Sequence, residues 1–215
     1  MLVIGLGRFG QAVAGSLEAM GHEVLGVDTD PECVRRMVDT VTQCMEADTT
    51  DSDTLRRMGV QDFEAAVVGI GSDIEASLLT VLALSDLGVP QIWAKAVNQN
   101  HGRILDRVGA TNVVYPEARM GERVAHILSG RMIDYIEFDD DFAIAKMVAP
   151  EEVTGKTLGQ SGIRTNHGVT VVGVKRAGAD FVYAEAHTFI ELGDLLIVSG
   201  SRDKVERFVA RAAEG

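Results

Sequence analysis

Three glycines and one aspartate near the start of the chain suit the binding of a nucleotide. The glycines are Gly5, Gly7 and Gly10, directly after an apolar stretch. Asp28 ends a second apolar stretch about 20 residues further on. In this pattern the glycines permit a tight turn, close approach of the backbone to phosphates, and close packing of helix on strand. Phosphates then lie at a helix N-terminus, whose N–H groups favour anions, and Asp28 accepts hydrogen bonds from a ribose. The spacing therefore predicts an adenine-nucleotide site.

The first half of the chain must position this site with alternating strands and helices. Apolar stretches predict strands at 1–6, 23–28, 43–47, 65–70, 91–96 and 112–115. The patterns between them predict helices at 9–20, 31–41, 53–58, 73–87 and 100–108. Strands without polar alternation are buried on both faces, as in a parallel sheet covered by helices. We therefore expect an α/β fold with a Rossmann-like, doubly wound parallel sheet and a ligand at its switch point.

After Pro116 the pattern becomes that of a small α+β module. A helix is predicted at 117–129, then strands around 142–149, 168–175, 181–184 and 194–199, and a terminal helix at 202–213. A module of roughly 80 residues buries little surface on its own, which favours pairing with a second copy. The predicted division is a nucleotide-binding domain at 1–116, a crossover helix and linker at 117–135, and a C-terminal domain at 136–215.

The composition disfavours several classes of protein. A net charge of −12 argues against a nucleic-acid partner, whose phosphates require a basic face. No apolar run approaches the ~20 residues of a membrane span, and the first residues are typical of a buried strand rather than a signal peptide. Cys33 and Cys44 are too few for a disulfide framework and lack metal-ligand spacing. We expect both to be buried thiols in a reducing cytoplasm.

The histidines do not form a convincing catalytic arrangement. None of the five can be placed in a Ser-His-Asp or Cys-His constellation, and no second, substrate-sized domain is predicted. A nucleotide pocket without catalytic side chains beside it is typical of a ligand-gated regulator. The alternative is a small NAD(H)-binding oxidoreductase or redox-sensing Rossmann protein. Asp28 suits any ribose with free hydroxyls, so it disfavours only the 2′-phosphate of NADP.

Several motifs resemble the RCK (TrkA-N) domains, which regulate potassium channels and transporters. They are Val-Ile-Gly-Leu-Gly-Arg-Phe-Gly at 3–10, Met-Gly-His-Glu-Val at 20–24, Ala-Asp-Thr-Thr-Asp at 47–51, Ile-Trp-Ala-Lys-Ala at 92–96 and Val-Val-Tyr-Pro-Glu at 113–117. The stretches 168–174 and 193–200 resemble the companion TrkA-C domain. The resemblance covers essentially the whole chain and is closest to KtrA-type cytosolic subunits of Ktr potassium-uptake systems. It implies a regulatory subunit, not an enzyme, that gates a membrane potassium-translocating protein (KtrB/TrkH-like) and is switched by ATP versus ADP.

The resemblance also implies roles for single residues in nucleotide binding. Arg8, in the glycine loop, would hold a terminal phosphate as a bidentate guanidinium. Asp28 and Asp30 would face the ribose, and the stretch ending the third strand would read the adenine edge. The implied nucleotide-binding set is Gly5, Gly7, Arg8, Phe9, Gly10, Asp28, Asp30, Asp48, Thr49, Gly71 and Lys95. In this set Lys95 would neutralise phosphate charge.

Further ligands and contacts between copies follow from the same resemblance. Glu117 matches a position where Mg²⁺ or Ca²⁺ binds between paired nucleotide domains, and its alternative is a carboxylate favoured by a helix N-terminus. Some relatives bind cyclic di-AMP between two TrkA-C modules. The corresponding stretch is 163–167 with Val169 and Thr170, where Arg164 would hold a phosphate; ordinary dimer packing is the alternative. We expect homodimers that assemble into a higher ring, an octamer, in the cytoplasm at the inner face of the membrane.

Overall fold

The computed structural model describes residues 1–128, 132–138 and 141–214, and these residues form two compact units, 1–118 and 119 onward. The strands of the first unit are β1 (Leu2–Ile4), β2 (Leu25–Asp28), β3 (Gln43–Glu46), β4 (Ala66–Val68), β5 (Ile92–Lys95) and β6 (Asn112–Val114). Its helices are α1 (Arg8–Ala19), α2 (Pro31–Met37), α3 (Ser52–Arg57), α4 (Ile74–Asp86) and α5 (Gln99–Arg107), with a short 3-10 helix at Val60–Asp62.

All six strands of the first unit are parallel, in the order β3-β2-β1-β4-β5-β6. The strand order reverses between β1 and β4, as in a doubly wound sheet. The central strand β1 is buried on both faces: Leu2 and Ile4 belong to one apolar cluster and Val3 to a second. The predicted Rossmann-like fold is confirmed.

Side-chain caps explain where most of these helices begin. Asp30, Asp51, Asp73 and Asn98 each accept a hydrogen bond from a backbone N–H in the first turn of the helix that follows. Such caps satisfy N–H groups that have no partner inside the helix. Helix α1 differs because its N-cap is Gly7, which has no side chain. The N-terminus of α1 is therefore left to another acceptor, such as an anion.

The second unit is an antiparallel module entered through a helix. Helix α6 (Pro116–Leu128) begins in the first unit and continues into the second. It is followed by β7 (Met132–Phe138), β8 (Phe142–Val148), β9 (Lys156–Thr157), α7 (Leu158–Ser161), α8 (Ile163–His167), β10 (Thr170–Lys175), β11 (Phe181–Tyr183), β12 (Phe189–Ile190), β13 (Leu195–Ser201) and α9 (Arg202–Glu214), with a 3-10 helix at Glu151–Val153. The main sheet has the order β11-β10-β13-β8-β7, and β12 pairs with β9.

Strand β7 begins inside the segment that the sequence assigns to a crossover helix and linker. Met132 and Tyr135 are buried in the core of the module, and β7 pairs with β8 along its length. A register irregularity between Met132 and Asp134 breaks the alternation that would have indicated a strand. Residue 129, the predicted end of the preceding helix, lies outside the described residues. Among the residues that are described, no helix is both long and apolar enough to cross a membrane.

Candidate nucleotide-binding site

A cleft of about 1030 Å³ lies in the first unit, lined by residues at and just beyond the carboxyl ends of its strands. This volume is at the upper end of the range for small-molecule pockets. Ten of the eleven residues in the predicted nucleotide set line it, together with Glu117: Gly5, Gly7, Arg8, Phe9, Asp28, Asp30, Asp48, Thr49, Gly71 and Lys95. Gly10 is buried outside the lining. The fold thus brings the predicted residues together in one cavity.

The three glycines are explained by the space around them. Gly5 has φ +85°, and a Cβ there would lie 2.9 Å from the backbone nitrogen of Ile70. A Cβ on Gly10 would collide with the carbonyl oxygen of Gly5, so Gly10 permits the close contact between α1 and the loop. A Cβ on Gly7 would meet no atom within 4 Å. The open space of the loop is therefore at Gly7, beside the uncapped start of α1.

Asp28 supports the glycine loop as well as facing the cleft. Its Oδ2 accepts a hydrogen bond from the Leu6 N–H at 2.6 Å, and its Oδ1 accepts one from the Asp30 N–H at 2.9 Å. The sequence motif predicts a ribose acceptor but not this bond to the loop. A carboxylate has about four acceptor positions, so Asp28 retains capacity for ribose hydroxyls.

The other predicted acids hold local backbone structure. The Asp30 carboxylate caps α2 through the Glu32 N–H, and this hydrogen bond is the main reason that its pKa lies below the ordinary value. Asp48 accepts from both the N–H and the hydroxyl of Thr50. The Thr49 hydroxyl is buried and hydrogen-bonds to Thr80 on α4 at 3.0 Å. The Thr49 side chain is therefore directed into the fold.

Lys95 and Glu117 form an ion pair at the edge of the cleft. Lys95 Nζ lies 2.6 Å from Glu117 Oε1, and the Lys95 side chain is only 13% exposed. The hydrogen bond from Lys95 is the main cause that holds the pKa of Glu117 below its ordinary value, and the charge of Arg8 adds a smaller effect. The ammonium also lies 5.9 Å from the centre of the Phe9 ring and close to Gly71. Lys95, predicted to contact phosphate, and Glu117, predicted to contact a divalent cation, thus form an ion pair with each other.

Negative charge predominates around the cleft. Six carboxylates line it, against the two cations Arg8 and Lys95: Asp28, Asp30, Asp48, Asp73, Glu75 and Glu117. The phosphates of a ligand would therefore be attracted mainly by Arg8 in the glycine loop and by Lys95. The arrangement favours ribose recognition along one side and phosphate recognition at the start of α1.

Part of the lining was missed by sequence reasoning. The loop before α4 and the first turns of that helix contribute Ser72, Asp73, Glu75, Ala76 and Leu79, and other loops contribute Thr29, Cys33, Thr50 and Val97. A signal for the α4 wall was available, because Asp73 begins the predicted helix at 73–87, shortly after the fourth predicted strand at 65–70, and aspartate is a favoured N-cap residue. Carboxyl ends of parallel strands meet at one edge, so a cap at that point borders the ligand site.

Both cysteines differ from expectation because neither is fully buried. Cys33 and Cys44 are free and partly exposed. Cys33 lines the cleft, and its thiol donates to Asp30 Oδ2 over 3.4 Å. Burial, the Asp30 hydrogen bond and neighbouring carboxylates raise the pKa of Cys33. The thiol is therefore held in its protonated, less reactive form.

One histidine lies behind the cleft wall. His101 is 2% exposed, and its Nδ1 accepts a hydrogen bond from the N–H of Val97, a residue that lines the cleft. Its Nε2 has no hydrogen-bond partner among the described residues. Burial lowers the pKa of His101. Because Nδ1 accepts the Val97 N–H, the neutral form of the ring carries its proton on Nε2. His101 supports the cleft wall without being exposed to a ligand.

The described residues contain no group of three or more His, Cys, Asp or Glu side chains that could hold a metal ion. Glu117 is 64% exposed and has Lys95 as its partner. Within one chain the carboxylate therefore does not form a cation site by itself.

Family models match both units of the chain. The TrkA-N domain matches residues 1–116, and the TrkA-C domain matches residues 142–213. The chain belongs to the RCK family. The RCK resemblance of the sequence motifs is confirmed by these matches and by the relatives that follow.

Two relatives of this RCK chain come from Bacillus subtilis (strain 168). The Ktr system potassium uptake protein C is 37% identical over 210 residues, covering 97% of this chain and 95% of that protein. The Ktr system potassium uptake protein A is 34% identical over 207 residues, covering 96% and 93%. At this similarity and coverage, the chain is grouped with the Ktr system potassium uptake proteins, as the sequence motifs indicate.

Solved structures show the same fold. The GsuK RCK domain aligns with a TM-score of 0.67 at 21% identity, over 97% of this chain and 47% of that chain. The GsuK channel bound to NAD aligns at 0.66 and 20%, over 100% and 39%. GsuK bound to ADP aligns at 0.51 and 20%, over 59% and 33%. This chain therefore spans less than half the length of these structures.

Proposed function

We propose that this RCK protein is a nucleotide-sensing subunit that gates a membrane potassium transporter and is switched by ATP versus ADP. The observation that carries the proposal is the cleft in which a glycine loop, a ribose acceptor and the Lys95–Glu117 ion pair line one cavity. Relatives named for the Ktr potassium uptake system support the transport role. The Rossmann-like fold supports the nucleotide.

A nucleotide in this cleft would be recognised at its ribose and at its phosphates. The ribose hydroxyls would donate to the Asp28 carboxylate, and the first phosphates would lie at Gly7 and the uncapped start of α1. A further phosphate would extend toward Arg8, whose guanidinium suits bidentate contact with phosphate oxygens. The number of phosphates then decides how much negative charge reaches Arg8 and Lys95. ATP and ADP would differ at this point and not at the ribose.

The Lys95–Glu117 pair offers a way to convert that difference into a change of the protein. The Lys95 ammonium lies 2.6 Å from a carboxylate oxygen of Glu117. A terminal phosphate would compete with the Glu117 carboxylate for the same ammonium. Glu117 lies in the first turn of α6, which runs on beyond the first unit. A ligand that breaks the Lys95–Glu117 ion pair therefore removes a contact at the start of α6. Such a ligand shifts the protein toward the conformation that binds it more tightly, by its difference in affinity for the two conformations.

NAD(H) is the second candidate ligand. The GsuK channel, which shares the fold, has a structure with NAD bound and another with ADP bound. The six carboxylates around the cleft favour a ligand with fewer phosphate charges than ATP. Under this alternative the protein remains a regulator, and the ligand reports redox state instead of the adenylate ratio.

The divalent cation and the ring assembly belong to the same proposal. A Mg²⁺ or Ca²⁺ ion at Glu117 would need oxygen ligands from nucleotide phosphates or from a second copy, because one chain supplies a single carboxylate there.

The α6 face made by Met120, Val124 and Leu128 is 44–81% exposed and repeats at helical spacing. We propose that this face is covered in a homodimer, and that dimers form a ring, an octamer, bound in the cytoplasm to a KtrB/TrkH-like membrane subunit.

Cyclic di-AMP binding at the C-terminal module also stays a proposal, with one restriction from the structure. In the predicted stretch, Ile163 and Val169 are 2% and 0% exposed, whereas Arg164 is exposed. Arg164 is able to meet a phosphate, but the buried apolar side chains are not free to stack on a base. The apolar contact would have to come from other residues.

A ligand panel tests the proposal. Thermal unfolding of the full chain is measured with ATP, ADP, AMP, NAD, NADH and cyclic di-AMP, with and without magnesium or calcium. A ligand at 100 times its dissociation constant stabilises by about 2.7 kcal/mol, which separates binders from non-binders. Stabilisation by ATP and ADP, together with potassium flux that differs between them in proteoliposomes holding the membrane partner, supports the proposal. Stabilisation by NAD(H) alone supports the alternative, and no stabilisation by any adenine nucleotide refutes both.

A further inference from the structure

The C-terminal unit contains a second cleft, smaller and of opposite charge to the first. Its volume is about 290 Å³, and its lining is Asn166, His167, Gly168, Lys204, Arg207, Phe208 and Arg211. No carboxylate is among these lining residues, although the chain as a whole carries a net charge of −12. We propose that this cleft, which we call the α9 cleft, binds a small anion that carries a phosphate group.

Three cations of the α9 cleft lie on one face of helix α9. Lys204, Arg207 and Arg211 are spaced at i, i+3 and i+7, so their side chains project from the same side. Within the described residues, none of the three has a carboxylate partner in an ion pair. Like charges at such spacing destabilise a helix, and a cation in its first turn, as at Lys204, opposes the helix dipole. Helix stability alone therefore does not explain this cluster.

Two contacts fix the positions of the exposed cations beside the cleft. Lys204 Nζ lies 3.4 Å from the position that a Cβ would take on Gly168, a residue with φ +68°. The Nε of Arg207 donates to the Asp203 carbonyl at 3.0 Å, which anchors the base of its guanidinium. A concave site lined by one sign of charge concentrates the field and attracts counter-ions. The planar guanidinium and the ammonium are the groups that proteins use for phosphate oxygens.

The aromatic residues of the cleft limit which part of a ligand it can recognise. The His167 ring packs on Phe208 with 4.8 Å between ring centres, and Phe208 is 1% exposed. The two rings are tilted by 51°, and the His167 side chain is only 13% exposed, so little ring surface is available for a nucleobase to stack on. His167 also faces one acid, because its Nε2 lies 3.6 Å from Glu152 Oε1. Recognition should therefore depend on the phosphate and little on the group attached to it.

The α9 cleft is separate from the nucleotide proposals above. It lies in the second unit, and its cations come from α9, which no sequence motif singled out. It takes Asn166 and His167 from the stretch considered for cyclic di-AMP, but Arg164 and Thr170 do not line it. Success or failure of this inference leaves the nucleotide cleft of the first unit untouched.

The test uses inorganic phosphate as the probe and the His167 imidazole as a local reporter. Carbon–proton spectra of the full chain are recorded during titration with phosphate, pyrophosphate and AMP, and the His167 signal is assigned with His167→Asn. We expect a saturable shift at low salt that weakens in 0.5 M sodium chloride, since salt screens exposed charges. Phosphate and AMP should bind within about threefold of each other. The titration itself uses the unmodified chain, and His167→Asn serves only to assign the signal.

A matched pair of double variants then tests the cations. Lys204→Gln with Arg207→Gln removes two charges from the cleft, and Lys146→Gln with Lys175→Gln removes two from strands of the same unit. We expect at least a tenfold loss of phosphate affinity in the first pair and less than a twofold change in the second. The proposal is overturned by a shift of His167 that does not saturate in the unmodified chain, by equal losses in both pairs, or by AMP binding more than tenfold tighter than phosphate.

Discussion

Replacing Asp28 with alanine should weaken every adenine nucleotide and also destabilise the ligand-free chain. The structure gives two separate reasons. Asp28 is the carboxylate that faces the cleft after β2, and its Oδ2 accepts from the N–H of Leu6, a residue that is 0% exposed. Removing a charged acceptor costs about 1.5–3 kcal/mol for each hydrogen bond it makes. The second bond, to the Asp30 N–H, is exposed, so water replaces it at little cost.

These values translate into measurable shifts. Loss of the Leu6 bond should lower the free energy of unfolding by about 1.5–3 kcal/mol, which corresponds to a decrease in Tm of about 3–12 °C for a chain of this size. Loss of the ribose bonds should weaken ATP, ADP and NAD(H) alike, by roughly 10- to 150-fold. Calorimetric titration gives the affinities, and scanning calorimetry gives Tm.

A matched control separates the loop from the local helix cap. Asp51→Ala removes the cap of α3, which costs about 1 kcal/mol, but leaves the Leu6–Asp28 bond in place, and Asp51 does not line the cleft. We expect it to change nucleotide affinity much less than Asp28→Ala. If folded Asp28→Ala binds ATP and ADP within twofold of the unmodified protein, Asp28 is neither the ribose acceptor nor the support of the loop.

Three further predictions concern residues around the same cleft. Arg8→Ala should cost ATP more affinity than ADP, as measured by calorimetric titration; equal losses would place the guanidinium away from the terminal phosphate. Glu117→Gln should change ADP affinity by less than about fivefold, because the carboxylate of the pair is 64% exposed and such pairs contribute about 1 kcal/mol or less. The same variant should abolish cation-dependent stimulation of potassium flux in proteoliposomes. A normal response to magnesium and calcium would leave Glu117 only its role as partner of Lys95. His101→Asn should reduce the loss of folding free energy at acid pH. Burial lowers the pKa of His101 in the folded chain, so the unfolded chain takes up the proton at a higher pH. The unmodified protein therefore loses stability as pH decreases from about 6.5 toward the lower folded pKa. Urea unfolding at pH 7.5 and 5.5 measures this, and identical pH dependence in both proteins would contradict it.

The first unit could be predicted in detail because its signals are local. Apolar strands buried on both faces and the glycine turn of Gly5 and Gly10 determine the sheet without reference to distant residues. Strand β7 could not be predicted, since its register irregularity disrupts the alternation on which a strand prediction depends. The pair β9 and β12 is also too short, at two residues each, to leave a pattern.

The site was predicted as a set of residues but not as a set of bonds. The spacing of the glycines and Asp28 indicates a common edge of the sheet. It does not indicate that Lys95 and Glu117 bind each other, or that the Thr49 hydroxyl is bonded to Thr80 on α4. These partners lie 22 and 31 residues apart in the chain. Their pairing depends on side-chain positions that only the assembled fold supplies.

The bond from Leu6 to Asp28 has a consequence for the kinetics of binding. Because the fold itself supplies this bond to the glycine loop, a nucleotide would need no contact of its own to hold the loop in place. The cost of ordering the loop would then not reduce affinity. The approach of the ligand to the cleft would limit the rate of association, and the six carboxylates around the cleft would slow an anion. A sensor built in this way would release and exchange its nucleotide in response to concentration, without a conformational delay at the loop itself.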